Sequence, residues 1–241
     1  MRALRTHVGE MMENIPSRTS EPSRKILPLD SLDGLEIRRI QEDGVDPVKT
    51  TVEVATYRGR RAVRMVNDDG LTASGTPAGA QSLEIAKDLE FANGSIELEV
   101  VGLAREGAPP STRGFVGVAF HVRDDGSRYE CMYVRFTNAR ADDQLLRNHT
   151  TQYVSHPDFS WQRLRAENPG VFESYVDIEP GAWTRIRVET VGKKAQLFVG
   201  GAGQPCLIVN DLKMGRTRGQ IALWSGSKTS AYFSNLSVSV S

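Results

Sequence analysis

Residues 115–136 read FVGVAFHVRDDGSRYECMYVRF. Two runs of β-forming residues flank Asp124-Asp125-Gly126-Ser127, a turn-forming quartet. The pattern predicts an antiparallel hairpin, because successive side chains of a strand leave on opposite faces. A three-residue turn at Asp125-Gly126-Ser127 pairs Phe120 with Met132, Val118 with Val134 and Val116 with Phe136. That face is wholly apolar and is expected in the core. The other face pairs His121 with Cys131, Ala119 with Tyr133 and Gly117 with Arg135, and Arg123 meets Tyr129 at its end. A two-residue turn would slip the register by one and bury Arg135 among Val116, Val118 and Phe120. The second face sets two small residues beside His121, Tyr133 and Arg135, which is how a ligand-binding sheet face is built. His121 is read as a ligand or catalytic contact. The alternatives are a solvated outer face or a hydrogen-bonded structural histidine.

The same texture extends outward. Val52–Thr56, Ala62–Val66, Ser95–Val100, Thr184–Glu189, Ala195–Val199, Cys206–Val209, Gln220–Trp224 and Ala231–Val240 are rich in Val, Ile, Phe and Tyr or alternate apolar with polar residues. Asn67-Asp68-Asp69-Gly70 marks a second turn. Many short strands with few helical patterns predict an all-β fold, a two-sheet antiparallel jelly-roll sandwich. Residues 27–241 are expected to form one such domain, preceded by a polar arm over 1–26, where Val8–Ile15 has room for a helical turn or two. Met1–Glu13 lacks the apolar core of a secretory signal, so the reading is either a cytoplasmic protein or a mature exported form.

Composition narrows the function classes. Lys plus Arg and Asp plus Glu are 30 each. This balance argues against a nucleic-acid binder, which carries a basic excess, and against a polybasic membrane anchor. No apolar run approaches the roughly 20 residues of a membrane-spanning helix. A chain of this length buries enough surface to fold without a disulfide or metal. Cys131 and Cys206 sit in no CxxC or Cys/His cluster and read as small buried hydrophobes, able to pair only if the fold brings them together. Gly200-Gly201-Ala202-Gly203 precedes no helix, so no nucleotide loop is expected. No metal site and no cofactor is predicted. Calcium is common in this fold class, but no Asp/Asn-rich loop marks a site for it.

Residues 137–172 break the pattern, with little apolar periodicity and a density of planar, hydrogen-bonding side chains: Asn138, Arg147, His149, Tyr153, His156, Trp161 and Arg163. A long loop inside a compact domain is usually functional. These groups, with Arg123, Tyr133 and Arg135, are the candidate contacts to a polyhydroxylated ligand. The alternative is a structural lid whose arginines pair with Asp142, Asp143, Asp158 and Glu167. If residues 173–179 form a strand, Glu173, Tyr175, Asp177 and Glu179 share one face. The spacing does not match the Glu-x-Asp-x-x-Glu ladder of jelly-roll β-glucanases. Glu173, beside the long loop, is kept with His121 as a candidate acid or base.

Phe91-Ala-Asn-Gly-Ser-Ile-Glu-Leu-Glu-Val100, Trp183-Thr-Arg-Ile-Arg-Val188, Ala195-Gln-Leu-Phe-Val199 and Leu207-Ile-Val-Asn-Asp-Leu212 resemble strands of concanavalin A-like and laminin G-like jelly rolls. Gly219-Gln-Ile-Ala-Leu-Trp224 followed by Ala231-Tyr-Phe-Ser-Asn-Leu-Ser-Val238 is similar to their closing pair, and to the ending of the 3-keto-disaccharide hydrolase domain family. The resemblance runs over residues 27–241. It implies the sandwich and a carbohydrate ligand, and carries over no catalytic residue. The resulting expectation is a carbohydrate-active protein, foremost a glycoside hydrolase acting on a small or modified saccharide. The alternative is a non-catalytic glycan-binding module. A third reading is a polysaccharide lyase, in which Arg neutralises a uronate while His and Tyr move the proton.

Overall fold

The computed structural model describes residues 23–38, 50–67 and 82–241. Among them are fifteen strands: β1 (Ser23–Leu27), β2 (Leu35–Arg38), β3 (Thr50–Tyr57), β4 (Arg60–Asn67), β5 (Ser82–Phe91), β6 (Gly94–Ala104), β7 (Phe115–Val122), β8 (Tyr129–Arg135), β9 (Thr151–His156), β10 (Glu173–Ser174), β11 (Thr184–Val191), β12 (Lys194–Val199), β13 (Leu207–Val209), β14 (Gly219–Ser225) and β15 (Thr229–Val240). Two short helices, α1 (Gln144–Asn148) and α2 (Trp161–Glu167), interrupt them. One sheet runs β13-β12-β11-β6-β15-β4-β3, with β1 also on β15. The other runs β10-β9-β8-β7-β14-β5-β2. Every pairing is antiparallel. The fold is the expected two-sheet sandwich.

The core lies between the sheets. Ile96, Leu98 and Val100 of β6, Val63 and Met65 of β4, and Val116, Val118 and Phe120 of β7 are fully buried. Removing such side chains from water supplies about 1.5–3 kcal/mol each, the dominant favourable term in the fold. The β7–β8 hairpin forms, but its pairing differs from expectation by two residues: Val116 opposes Val134 and Val118 opposes Met132. A two-residue slip keeps every side chain on its face. One residue of the slip comes from the turn, which is four residues long instead of three, and the other from an extra residue on β7. Arg123 N–H donates to the Arg128 carbonyl across a four-residue loop. Next to it a bulge sets Phe120 and His121 of β7 against Ile221 alone on β14, since Val122 opposes Gln220 and Ala119 opposes Ala222.

Three further expectations need correction. Ser23–Ile26, assigned to the arm, are part of β1 and pair with the end of β15; residues 1–22, with the Val8–Ile15 turn, lie outside the described residues, as do Asp68–Gly70 of the second turn signal. Residues 137–172 are not an irregular loop. They contain α1, β9 and α2, and β9 is an interior strand between β8 and β10. Asp143 caps α1 through Leu145 N–H and Leu146 N–H, and Ser160 caps α2 through Arg163 N–H. The segment 173–179 is a strand only at Glu173 and Ser174, so Tyr175, Asp177 and Glu179 share no sheet face with Glu173. Both cysteines are free.

Candidate functional site

The hairpin's second face is the outer face of the β10–β2 sheet. One row across it reads Glu173, Gln152, Tyr133, Gly117 and Trp224, contributed by β10, β9, β8, β7 and β14. Gly117 makes the row work. A Cβ there would lie 2.3 Å from the Met132 carbonyl oxygen and 2.5 Å from the Tyr133 Cβ. Its absence lets Tyr133 and Trp224 stack over it, with centroids 4.5 Å apart. Phe115 meets Tyr133 edge-on at 6.1 Å.

Arg135, one pleat along β8 from Tyr133, is 5% exposed. Its Nη2 donates to the Tyr133 hydroxyl and to Gln152 Oε1, both at 3.1 Å. Its Nη1 donates to the His149 carbonyl at 2.7 Å, which also accepts from Asn138 Nδ2 at 3.2 Å. The buried Asn138 is left with Oδ1 unpartnered. Burial pulls the Arg135 guanidinium below its ordinary pKa and pushes the Tyr133 phenol up.

The polar end of the row is a charge cluster. Arg165 of α2 contacts both oxygens of Glu173, with Nη2 to Oε2 at 2.7 Å and Nε to each oxygen at 3.1 Å. His149 Nε2 lies 3.1 Å from Glu173 Oε1. Burial lowers the His149 pKa, and Arg165 and Arg135 act in the same direction against the opposing pull of Glu173. The imidazole is therefore neutral near neutral pH. A carboxylate lies beside one of its nitrogens, and a negative charge there favours the protonated form that a general base passes through. Trp161, 39% exposed, lies under the Arg165 guanidinium, 4.7 Å from its carbon to the ring centroid.

The structure thus brings Glu173, His149, Arg135, Tyr133 and Asn138 together, with Trp161 at the margin. The other candidates lie elsewhere. His121 sits at the bulge with φ 54. That twist turns its fully buried ring between Phe91 and Phe120. It shares a hydrogen bond with the Ala92 carbonyl at 3.0 Å, and burial lowers its pKa. It is a core residue with no contact to the cluster, which corrects its assignment as a catalytic candidate. Tyr153 faces the sheet interior. Its hydroxyl donates to Glu130 and accepts from Lys213 N–H at 2.8 Å, so it supports the core rather than the outer face. His156 stacks on Tyr129 at 4.8 Å, and burial lowers its pKa. Arg147 donates to the Ala141 carbonyl and lies over Tyr175. Arg163 pairs with Glu167 on the surface of α2 and lies over Phe159. Arg123 lines a shallow depression of about 420 Å³ with Asp124, Asp125, Ser127 and Arg128.

Gln152 and Trp224 belong to the row and were not among the candidates. No local signal marks Gln152, because Gln152, Val154 and His156 on one face and Thr151, Tyr153 and Ser155 on the other each mix polar with apolar residues. Trp224 was visible as a strand residue, but nothing local says which face it takes. Among the described residues no group of three or more His, Cys, Asp or Glu side chains gathers as a metal site, and no helix is long and apolar enough to cross a membrane.

No protein-family model matches the sequence, and no curated protein matches it. Solved structures do match in fold. A protein of unknown function with a galectin-like fold from Bacillus subtilis aligns over 91% of this chain and 97% of its own, with a TM-score of 0.56 and 10% identity. A β-1,3-1,4-glucanase (lichenase) derived from a mouse hindgut metagenome aligns over 90% and 98%, at 0.53 and 12%. Carbohydrate binding module CBM66 from Bacillus subtilis aligns over 78% and 94%, at 0.50 and 13%. At these identities the likeness is one of architecture. The chain is a two-sheet antiparallel jelly-roll β-sandwich.

Proposed function

We propose that this is a carbohydrate-active protein whose saccharide site is the outer face at Glu173, His149, Arg135, Gln152 and Tyr133, and that it hydrolyses a glycosidic bond there. The observation that carries the reading is the His149–Glu173 pair at 3.1 Å at the edge of a row of stacked aromatics and buried polar groups. His149 Nδ1, which has no bond to the described residues, takes a proton from the attacking water. Glu173 steadies the imidazolium, and the same proton returns to the departing oxygen. The exposed Trp161 ring offers a stacking surface for a sugar. Two solved structures sharing the fold are a glucanase and a carbohydrate binding module, which supports the same ligand class. The resemblance of the closing strands to 3-keto-disaccharide hydrolase domains puts 3-keto-glycosides first among small modified substrates.

A specific observation favours the binding-module reading as second. Glu173 is the single carboxylate in its row, and it is already engaged by Arg165 and His149. Glycosidases ordinarily use two carboxylates across the bond. Incubation with a panel of oligosaccharides and 3-keto-glycosides, read by mass spectrometry, separates the cases. Products heavier in sum by one water, lost in His149→Ala, are expected. Thermal stabilisation without cleavage would establish the module instead. An unsaturated product would establish a lyase, and a panel with neither binding nor cleavage would sink the carbohydrate reading.

A further inference from the structure

We propose that the ligand of this site is an acidic saccharide, and that Arg135 receives the carboxylate of a uronic acid residue. The inference rests on the saccharide reading above and adds the substrate class. Arg135 is a buried cation without an anion. Its hydrogen bonds run to a carbonyl, a phenol and an amide oxygen, and none of its partners carries charge. A buried charge is normally paired, because hydrogen bonds to neutral groups recover only part of the lost hydration. The nearby carboxylate, Glu173, is taken by Arg165 in a two-pronged contact and by His149. Charge within the cluster is therefore one guanidinium in excess.

The donors left over are Nε–H and one proton of Nη1. Two protons on Nη2 and one on Nη1 are used, while Nε–H bonds to none of the described residues. A guanidinium is always ionised. Its two-pronged contacts each need an Nη2 proton, and both of these are held by Tyr133 and Gln152, so a carboxylate is received through Nε–H by one charge-assisted bond. Tyr133 and Gln152 fix the orientation of the guanidinium from the sheet. A neutral hexose offers a hydroxyl to the same Nε–H, but leaves the excess charge uncompensated.

The test is isothermal titration of the full chain, at low salt and neutral pH, with oligomers of galacturonate, glucuronate and mannuronate. Each is run beside its methyl ester and the corresponding neutral hexose oligomer, with a sulfated oligosaccharide as a further anion. One acid form is expected to bind at least about tenfold tighter than its ester, with affinity falling as salt rises. Arg135→Gln should bring the acid and ester to equal affinity while leaving residual binding. Arg135→Lys keeps the charge and loses the placed Nε–H, so it should retain only part of the preference, and it provides the variant reading if Arg135→Gln does not fold. Equal binding of acid, ester and neutral oligomers by the native protein overturns the inference and leaves the saccharide reading standing. A sulfated ligand binding as tightly as the best uronate also overturns it. An acid preference untouched in both folded variants removes Arg135 from the role. Failure of every saccharide to bind overturns both readings together.

Discussion

Tyr133 and Trp224 stack at 4.5 Å although their strands, β8 and β14, are not neighbours; the residue between them in the row is Gly117 on β7. The two rings close over a position where a side chain would otherwise stand. Gly117→Ala inserts a methyl group against the Met132 carbonyl and the Tyr133 Cβ, neither of which is the free end of a flexible side chain. The expected cost is about 1–3 kcal/mol of stability, typical of overpacking, measured by urea denaturation. The near-ultraviolet circular dichroism of the Tyr–Trp pair should change with it. A native spectrum and unchanged stability would contradict this account of the row.

Glu173 raises the His149 pKa while burial and two arginines lower it. Glu173→Gln removes the opposing pull, so the His149 pKa should drop further, as followed by NMR titration of the imidazole. Turnover or saccharide affinity should drop by tenfold or more, about 1.4 kcal/mol. A His149 titration that is unchanged or moves upward would show that the two side chains are not electrostatically coupled.

Burial lowers the pKa values of His121 and His156 as well as His149. For a histidine the sign follows directly. The folded state binds the proton less tightly than the unfolded one, so the stabilising contribution is present above about pH 6.5 and is lost as pH falls through the lowered values. Stability should therefore decline below that pH. His121→Asn suits the left-handed backbone at φ 54 and removes one titrating group. It should lower stability in alkaline buffer through lost ring packing, and it should flatten the acid-side decline. Denaturation midpoints across pH check both slopes.

Glu130 has the opposite sign. Burial raises its pKa, although bonds from Tyr153 and from Met214 N–H pull it back. Its favourable contribution is greatest below the ordinary carboxylate pKa and is lost as pH rises through the raised value. Tyr153→Phe removes one of the restoring bonds and leaves a buried acceptor and Lys213 N–H short of a partner. The expected penalty is about 1–3 kcal/mol, larger near neutral pH than near pH 4. An equal penalty at both values would place the effect on packing alone.

Trp161 is exposed on α2 and stacks on Arg165 without entering the core. Trp161→Ala should weaken saccharide binding about tenfold while leaving the denaturation midpoint unchanged, and saccharide should quench tryptophan fluorescence in the native protein more than in the variant. Loss of stability with unchanged affinity would assign Trp161 to the fold instead of the site.

The sequence by itself determined the sandwich, the two faces of the β7–β8 hairpin and the residue types of the site. Those follow from a period of two and from turn chemistry, which are local. Tyr133 and Arg135 share a face because they are two residues apart on a strand, and no tertiary contact can alter that. The pairing register depended on the turn and on a bulge, and neither is set by alternation. His121 shows the consequence: by parity it belongs with Ala119 and Gly117, but one extra residue on β7 rotates it into the interior between Phe91 and Phe120. Residues 151–156 were hidden for another reason. An interior strand with one polar and one mixed face, Gln152 and His156 against Thr151 and Ser155, carries too little apolar contrast to announce itself. Only the folded chain decided that Glu173 and Gln152 meet across β10 and β9, that α2 delivers Arg165 to Glu173, and that Trp224 crosses over Gly117 to Tyr133. Those contacts join residues on separate elements, and their geometry is fixed by how the sheets stack and which elements become neighbours.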